Sequence, residues 1–299
     1  MTNSVRCQAK NPETCWRHGT GLGFSANRAI KDVLTNKTKP KTDEFTRREL
    51  KTYESEELAL VLMSLIDKSN SMTSKSVKEA LLLASDLHKS DTRANRAAHD
   101  RTPYIEHPLR NTIRILRYRC DTQSIVIGSL LHDTVEDHPF EIARQYAKQE
   151  PTDENHAREI AYSYIQKRFG KRTSEMVRGM SNPIAEDKYM PAAEKNAIYC
   201  AHVAEAIENP DVLIGKVSDI TDNAFSLHHT EIGMSSASIY KKATKYLGVI
   251  DVLENRLKRA YHEESFPIPQ ESVATLIRQM QAGRGRLIEL QARHAPAAK

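Results

Sequence analysis

Apolar residues recur at helical spacing along most of the chain beyond residue 53. The segments with this pattern read, in chain order, EELALVLMSLIDK, SVKEALLLASDLHK, HPLRNTIRILRYR, TQSIVIGSLLHD, EIAYSYIQKRFG, EKNAIYCAHVAEAIE, DVLIGKVSDITDN, IYKKATKYLGVIDVLENRLKRAYH and ESVATLIRQMQ. Prolines and glycines, which break helices, fall between these segments. No alternating pattern of comparable length predicts a strand, and no repeat of fixed period predicts a solenoid. We therefore predict an all-α fold.

The first sixth of the chain lacks this pattern and contains Lys/Thr/Asn-rich stretches such as TNKTKPKTDEFTRRELK. Met1 to Lys51 hold 11 Lys/Arg against 5 Asp/Glu, a net charge of +6, whereas the whole chain carries +5. Such a segment can attract nucleic acid by charge alone, or it can be a solubilising, disordered leader. We predict a poorly structured basic leader over 1–53, the main domain over 54–262, and a C-terminal helix and tail over 263–299.

A second feature of the leader is the stretch CQAKNPETCWRHG, which contains Cys7, Cys15 and His18. Thiolate and imidazole groups at short spacing are typical zinc ligands, but a closed structural site needs four ligands. No fourth ligand is evident nearby. A small knuckle and a docking peptide remain alternatives, and we assign no leader residue as a metal ligand.

The composition is that of an ordinary soluble protein, with 39% hydrophobic and 28% charged residues among 299. No segment approaches the roughly 18 to 20 consecutive apolar residues of a membrane span, and the N-terminus lacks the apolar region of a signal peptide. The four cysteines do not form the dense pattern of a disulfide framework. We therefore expect a cytoplasmic protein with reduced thiols and no membrane partner.

A group of ionisable residues follows the apolar run SIVIGSLL in the stretch SLLHDTVEDH. On a helix, Asp133, Glu136 and Asp137 occupy neighbouring positions on one face, and His132 directly precedes Asp133. A buried ionised carboxylate is costly unless a partner charge or a metal compensates it. The stretch therefore indicates a cation site.

Two further candidates for metal ligands lie outside this stretch. His107 precedes a proline at a predicted helix start in TPYIEHPL, and Asp219 follows an apolar run in VLIGKVSDITDN, with Asn223 one turn later. Taken singly, His107 can be a helix cap and Asp219 a buried, paired carboxylate. Together with the HD pair they provide the mixture of imidazole and carboxylate that Mn, Fe, Zn and Ni bind.

The order of H, then HD, then D along the chain resembles the HD phosphohydrolase superfamily. PYIEHP, LLHDTVED and LIGKVSDITDN resemble the corresponding motifs of the hydrolase half of the RelA/SpoT family, including its small alarmone hydrolases. The resemblance spans roughly Ser76 to Leu257. It implies an HD-domain helical bundle that holds one divalent ion, Mn²⁺, through His107, His132, Asp133 and Asp219.

The resemblance also implies roles for other residues and a reaction. By analogy, Glu136, Asp137 and Asn223 would be catalytic, with the first two orienting the attacking water and moving its proton. The expected substrate contacts come from Arg96, Lys242 and Tyr246. The implied reaction removes the 3′-pyrophosphate from a guanosine polyphosphate alarmone, ppGpp or pppGpp.

Two departures from the family pattern leave the substrate open. The family's Thr-Lys is missing from VRGMSNP, and Asp222 in KVSDITDN stands where a neutral residue or histidine is usual. One alternative is an antitoxin-type hydrolase that acts on ppApp or on pyrophosphorylated tRNA ends, with an RNA or toxin partner bound by the basic leader. Another is a catalytically silent HD regulatory module.

Overall fold

The computed structural model of the chain describes residues 49–69, 72–93, 101–184, 190–229 and 234–296. Within these residues the fold is helical apart from a hairpin of two antiparallel strands, with Thr92 opposite Pro103 and Arg93 opposite Thr102. The prediction of an all-α fold is confirmed. The leader, including Cys7, Cys15 and His18, lies outside the described residues.

The longer helices are, in chain order, α1 (Ser55–Ile66), α2 (Ser74–Leu87), α3 (Glu106–Arg117), α4 (Gln123–Leu131), α7 (Glu154–Phe169), α8 (Lys171–Met180), α9 (Ala192–Ala206), α10 (Pro210–Asn223), α11 (Ser236–Ala260) and α12 (Gln270–Arg293). Short elements lie between them: a 3₁₀ turn (Leu50–Thr52), strands β1 (Thr92–Arg93) and β2 (Thr102–Pro103), helices α5 (Thr134–Asp137) and α6 (Pro139–Glu141), and a π-helical turn (Ile142–Tyr146).

Each segment with helical spacing forms a helix in the structure. The run SIVIGSLL forms α4, and every residue from Ile125 to Leu131 is buried, as expected for a helix that is apolar on all sides. Helix α8 was not among the predicted segments, and its sequence KRTSEMVRGM begins with four polar residues in a row. The strands of two residues are too short to give an alternating pattern.

The apolar interior consists of two clusters that meet at helices α3 and α4. One cluster surrounds α10 and includes Ile115 and Ile125, and the other includes Ile113 and Val126 together with buried residues of α1, α2 and α7. Helix α10 is buried on nearly every side, so its polar residues need partners within the protein. This arrangement brings α3, the end of α4 and α10 together.

Residues at both ends of the described chain belong to this interior. Leu50 and Tyr53 are buried in the second cluster, and Leu276 and Met280 of α12 are buried in the first. The predicted divisions at residues 53 and 262 remain predictions. No helix in the described part of the chain is long and apolar enough to cross a membrane.

Candidate active site

The four predicted metal ligands come together from three separate elements. His107 lies in the first turn of α3, where Pro108 follows it as a residue suited to a helix start. His132 and Asp133 occupy the break between α4 and α5, and Asp219 lies in the third turn of α10. His107 and His132 are buried, whereas the two aspartates retain partial exposure.

The ligand atoms of these four side chains face one another at short distances. The Nε2 atoms of His107 and His132 are 3.3 Å apart. Asp133 Oδ2 lies 3.5 Å from His107 Nε2 and 3.1 Å from His132 Nε2, and Asp219 Oδ1 lies 3.1 Å and 3.9 Å from the same two atoms. Ligands at about 2 Å from a divalent ion are spaced in this way around it.

The other ring nitrogen of each histidine has a partner that can only accept a hydrogen bond. His132 Nδ1 lies 2.8 Å from the carbonyl oxygen of Ser129, and His107 Nδ1 lies 2.8 Å from Asp222 Oδ2. Each Nδ1 therefore carries the hydrogen, and in the neutral ring Nε2 presents its lone pair to the centre of the site. The neutral form of either ring is thus the tautomer that binds a metal through Nε2.

Asp222 is the buried anion at the centre of a cationic group behind His107. Its carboxylate accepts from Arg110 at 2.9 and 3.0 Å, from Arg114 at 3.0 Å and from Lys51 at 3.3 Å. Burial opposes the charge, but Arg110 and Lys51 hold the pKa of Asp222 well below its usual range. An ionised Asp222 is therefore fixed as the acceptor for His107.

Both ligand carboxylates also have hydrogen-bond donors. The Tyr104 hydroxyl donates to Asp133 Oδ2 at 2.7 Å, and Asn223 Nδ2 donates to Asp219 Oδ1 at 2.7 Å. Because Asn223 follows Asp219 by one helical turn, α10 itself aligns the pair. Asn223 therefore orients the Asp219 carboxylate, and its catalytic role remains a prediction.

Without a bound ion, the carboxylates of Asp133 and Asp219 give the four ligand side chains an excess of negative charge. Burial disfavours the charged imidazolium, yet the nearby Asp133 carboxylate raises the pKa of His132 to about 9. Two carboxylates and two imidazole nitrogens form a donor set suited to one borderline divalent cation. His107, His132 and Asp219 meet as a possible metal group, and Asp133 approaches the two imidazole nitrogens of that group. The donor set therefore fits the predicted ion.

The two acidic residues after the HD pair have different environments. Asn182 donates to Glu136 from its backbone N at 2.8 Å and from Nδ2 at 3.0 and 3.1 Å, which fixes that carboxylate. Asp137 has a pKa raised to about 7 by partial desolvation, by Asp133 and by Glu136. Because Asp137 remains exposed, we attribute the shift mainly to the neighbouring charges.

The three predicted substrate-binding residues differ in where the structure places them. Arg96 lies outside the described residues. Tyr246 is half-buried, and burial and the charge of Asp219 raise its pKa. Lys242 is exposed, and its pKa is lowered by desolvation and by the positive charges of Arg93 and Lys245. Their roles in binding substrate remain predictions.

Arg93 and Lys245 are cationic residues of the site that the sequence reasoning missed. Arg93 NH2 donates to Asn223 Oδ1 at 2.6 Å, and its guanidinium lies 5.1 Å from the centre of the Tyr104 ring. Lys245 Nζ lies 4.0 Å from the ring centre of Tyr199, and the charge of Asp219 acts on it. Their proximity depends on tertiary contacts, so spacing along the chain does not indicate it.

Lys216, three residues before Asp219, contacts the backbone of another helix end. Its buried ammonium donates to the carbonyl oxygen of Met180 at 2.6 Å, so its contact ties α10 to the end of α8. His202 Nε2 contacts the Ser181 carbonyl oxygen at 3.1 Å. These contacts give both residues structural roles.

Comparison with known proteins found similarity to a solved structure. No family model matches the chain, and no curated protein matches it. Among solved structures, the chain is similar to a metazoan ortholog of SpoT that hydrolyzes ppGpp and plays a role in starvation responses. The TM-score is 0.46, the sequence identity is 19%, and the match covers 70% of this chain and 97% of that chain.

Proposed function

We propose that the chain is a metal-dependent phosphohydrolase of the HD type, which removes the 3′-pyrophosphate from guanosine polyphosphates. The observation that carries the proposal is the convergence of His107, His132, Asp133 and Asp219 on one point. Each of the two carboxylates has an oxygen 3.1 to 3.9 Å from both Nε2 atoms, which are 3.3 Å apart. Two largely buried carboxylates beside two imidazoles need compensation, and a divalent ion supplies it by binding both carboxylates and both Nε2 lone pairs.

Each residue has a defined part in this reaction. When bound, a divalent ion lowers the pKa of a coordinated water and polarises a phosphoryl oxygen. Asp137, exposed at the rim of the site, accepts a proton from the attacking water, and the fixed carboxylate of Glu136 orients that water. Tyr104 and Asn223 keep the two ligand carboxylates in position.

The reaction is a displacement at the phosphorus of the pyrophosphoryl group. Water adds to that phosphorus while its bond to the ribose 3′ oxygen breaks, and the released oxygen takes up a proton. The products are GDP or GTP and pyrophosphate. Arg93, Lys242 and Lys245 supply the positive charge that a polyphosphate requires, and Arg93 adds the fork geometry that matches phosphate oxygens.

The guanosine substrate rests on motif resemblance rather than on a contact in the structure. PYIEHP, LLHDTVED and LIGKVSDITDN resemble the RelA/SpoT hydrolase motifs, which supports an alarmone over an unrelated phosphate ester. The ligand residues and the acidic pair of these motifs are all present, which supports an active enzyme over a silent regulatory module.

The decisive experiment incubates the purified, Mn²⁺-loaded protein with ppGpp, pppGpp, ppApp and pyrophosphorylated tRNA and separates the products by chromatography. We expect GDP from ppGpp and GTP from pppGpp, each with one equivalent of pyrophosphate. The Asp219→Ala protein is the inactive control and Asp67→Ala, at an exposed position after α1, is the matched active control. Turnover of ppApp or tRNA alone would contradict the guanosine assignment, and no turnover of any substrate would contradict the enzyme.

A further inference from the structure

A second group of two histidines and one aspartate lies beside the first and takes no part in the proposed reaction. His88 directly follows α2, Asp91 precedes β1, and His138 lies between α5 and α6. The His88 side chain is 1% exposed, that of His138 is 14% exposed and that of Asp91 is 33% exposed. The group is therefore closed on the protein side and open to solvent at Asp91.

Three ligand atoms of this group converge on one point. Asp91 Oδ2 lies 2.8 Å from His88 Nδ1 and 2.6 Å from His138 Nε2, and the two nitrogens are 3.2 Å apart. Both imidazoles approach the same carboxylate oxygen, Asp91 Oδ2. Hydrogen bonds alone do not require this, because each ring could donate to a different oxygen of the carboxylate. This is the arrangement in which three ligands share one cation, and the three residues meet as a possible metal group.

We propose that His88, Asp91 and His138 bind a second divalent transition ion, such as Zn²⁺, through His88 Nδ1, His138 Nε2 and Asp91 Oδ2. Two imidazoles and one carboxylate are preferred ligands of such ions. Tetrahedral ligands of Zn²⁺ are about 3.4 Å apart, so the group must open by a few tenths of an ångström. Asp91 can move because it is partly exposed and lies outside the helices.

The surroundings of the two imidazole rings define which nitrogen of each can bind the ion. His138 Nδ1 lies 3.9 Å from Glu141 Oε2, and this nearby negative charge favours the hydrogen on Nδ1 when Nε2 binds the ion. The His88 ring stacks on Tyr104 with 4.5 Å between ring centres, and this contact fixes the ring plane. His88 Nε2 is buried without a hydrogen-bond partner among the described residues, which leaves Nδ1 as the ring's polar contact.

The second site shares no ligand with the first but contacts it through two residues. Tyr104 stacks on His88 and donates to Asp133, a ligand of the first site. Asp91 lies two residues before Arg93, which donates to Asn223 and so reaches the other ligand aspartate. An ion at the second site would therefore hold the start of β1 where Arg93 meets the first site.

The test is the zinc content of the full chain, stripped with a chelator and dialysed against Zn²⁺. It is measured in a Cys7→Ser, Cys15→Ser background, so that leader thiols do not contribute. We expect two zinc ions per chain in that parent protein, one in Asp91→Asn and one in Asp219→Ala. Asp67→Asn makes the same chemical change at an exposed position and should keep both ions. Anomalous scattering at the zinc edge should place one ion at each group.

The outcomes separate this proposal from the proposed function. Loss of one ion in Asp91→Asn but none in Asp219→Ala would support the second site and contradict the first. Unchanged zinc content in Asp91→Asn would overturn the second site and leave the first intact. If Asp91→Asn does not fold, His138→Gln together with the anomalous map of the parent protein decides the question, because an empty second position in that map would overturn the proposal.

Discussion

Asp222 Oδ2 accepts the Nδ1 hydrogen of His107 at 2.8 Å and thereby joins a metal ligand to a buried ionic group. Arg110 binds both oxygens of this carboxylate, and Lys51 and Arg114 complete the group. Replacement of a residue that orients a metal ligand typically lowers metal affinity by about 10- to 100-fold. We expect this loss in Asp222→Asn, measured as Mn²⁺ affinity by calorimetry.

The same substitution should also lower stability. Asp222→Asn removes the negative charge that three buried or largely buried cations share, and breaking a buried pair costs about 3 to 5 kcal/mol. The free energy of unfolding of the metal-free protein in denaturant measures this effect. Asp251→Asn is the control, because Asp251 is exposed and pairs with Arg284 at the surface. Equal stability of the two variants would show that the Asp222 group contributes little.

Removal of one ligand carboxylate should abolish the first ion. Asp133 and Asp219 each have a carboxylate oxygen close to the Nε2 atoms of both histidines. Loss of either carboxylate removes one ligand and one of the two negative charges that balance the ion. We expect Asp133→Ala and Asp219→Ala to lose bound Mn²⁺ and, with it, the rise in melting temperature that the ion gives the wild type. Mn²⁺ content by elemental analysis and melting curves with and without the ion measure both. Full occupancy in either variant would remove that residue from the ligand set.

Glu136→Gln should separate metal binding from chemistry. Asn182 fixes both oxygens of Glu136, and a glutamine can keep one of these contacts. The variant should retain Mn²⁺ and bind nucleotide, while kcat falls by about 10² or more because the carboxylate that orients the water is missing. Glu175→Gln, which changes a surface partner of Lys171, should keep wild-type kcat. Loss of Mn²⁺ in Glu136→Gln would make Glu136 a ligand instead.

The sequence predicts the elements and the ligands better than the contacts around them. His107 begins α3, His132 and Asp133 follow the apolar helix α4, and Asp219 lies within the buried helix α10. This local pattern makes them candidates, and the resemblance to the HD motifs selects them as predicted ligands. In the sequence, Asp222 is only a departure from the family motif. Its role in the ionic group cannot be predicted, because its partners Arg110 and Arg114 lie more than 100 positions away. The same applies to Asn182, whose contact with Glu136 depends on how α8 ends beside α5. Spacing along one helix cannot reveal such pairs.

Two glycines of α12 should respond oppositely to the same substitution. A Cβ at Gly283 would lie 2.1 Å from ring atoms of Phe225, whereas a Cβ at Gly285 would meet nothing within 4 Å. Gly283→Ala should therefore destabilise the protein by about 1 to 3 kcal/mol through overpacking. Gly285→Ala should stabilise it by about 0.5 to 1 kcal/mol through helix propensity. Denaturant unfolding measures both, and a stable Gly283→Ala protein would show that α12 does not pack on Phe225.

The last prediction concerns the basic leader. Lys51 contacts Asp222, and Leu50 and Tyr53 are buried, so a truncated chain should begin at Glu49 to retain these contacts. We expect this protein to fold and to hydrolyse ppGpp at close to the full-length rate, because every proposed ligand lies beyond the leader. A chain that begins at Tyr53 should be less stable, since Asp222 then loses one of its cations.

The same truncation distinguishes a nucleotide substrate from RNA. If the +6 leader binds RNA, the chain that begins at Glu49 should bind tRNA more weakly than the full chain. Its affinity should also vary less with salt, because fewer phosphate contacts release fewer counterions. Titrations at several salt concentrations measure this slope. An unchanged slope would exclude the leader as an RNA-binding arm, whereas loss of ppGpp hydrolysis would show that residues before Glu49 contribute to the active site.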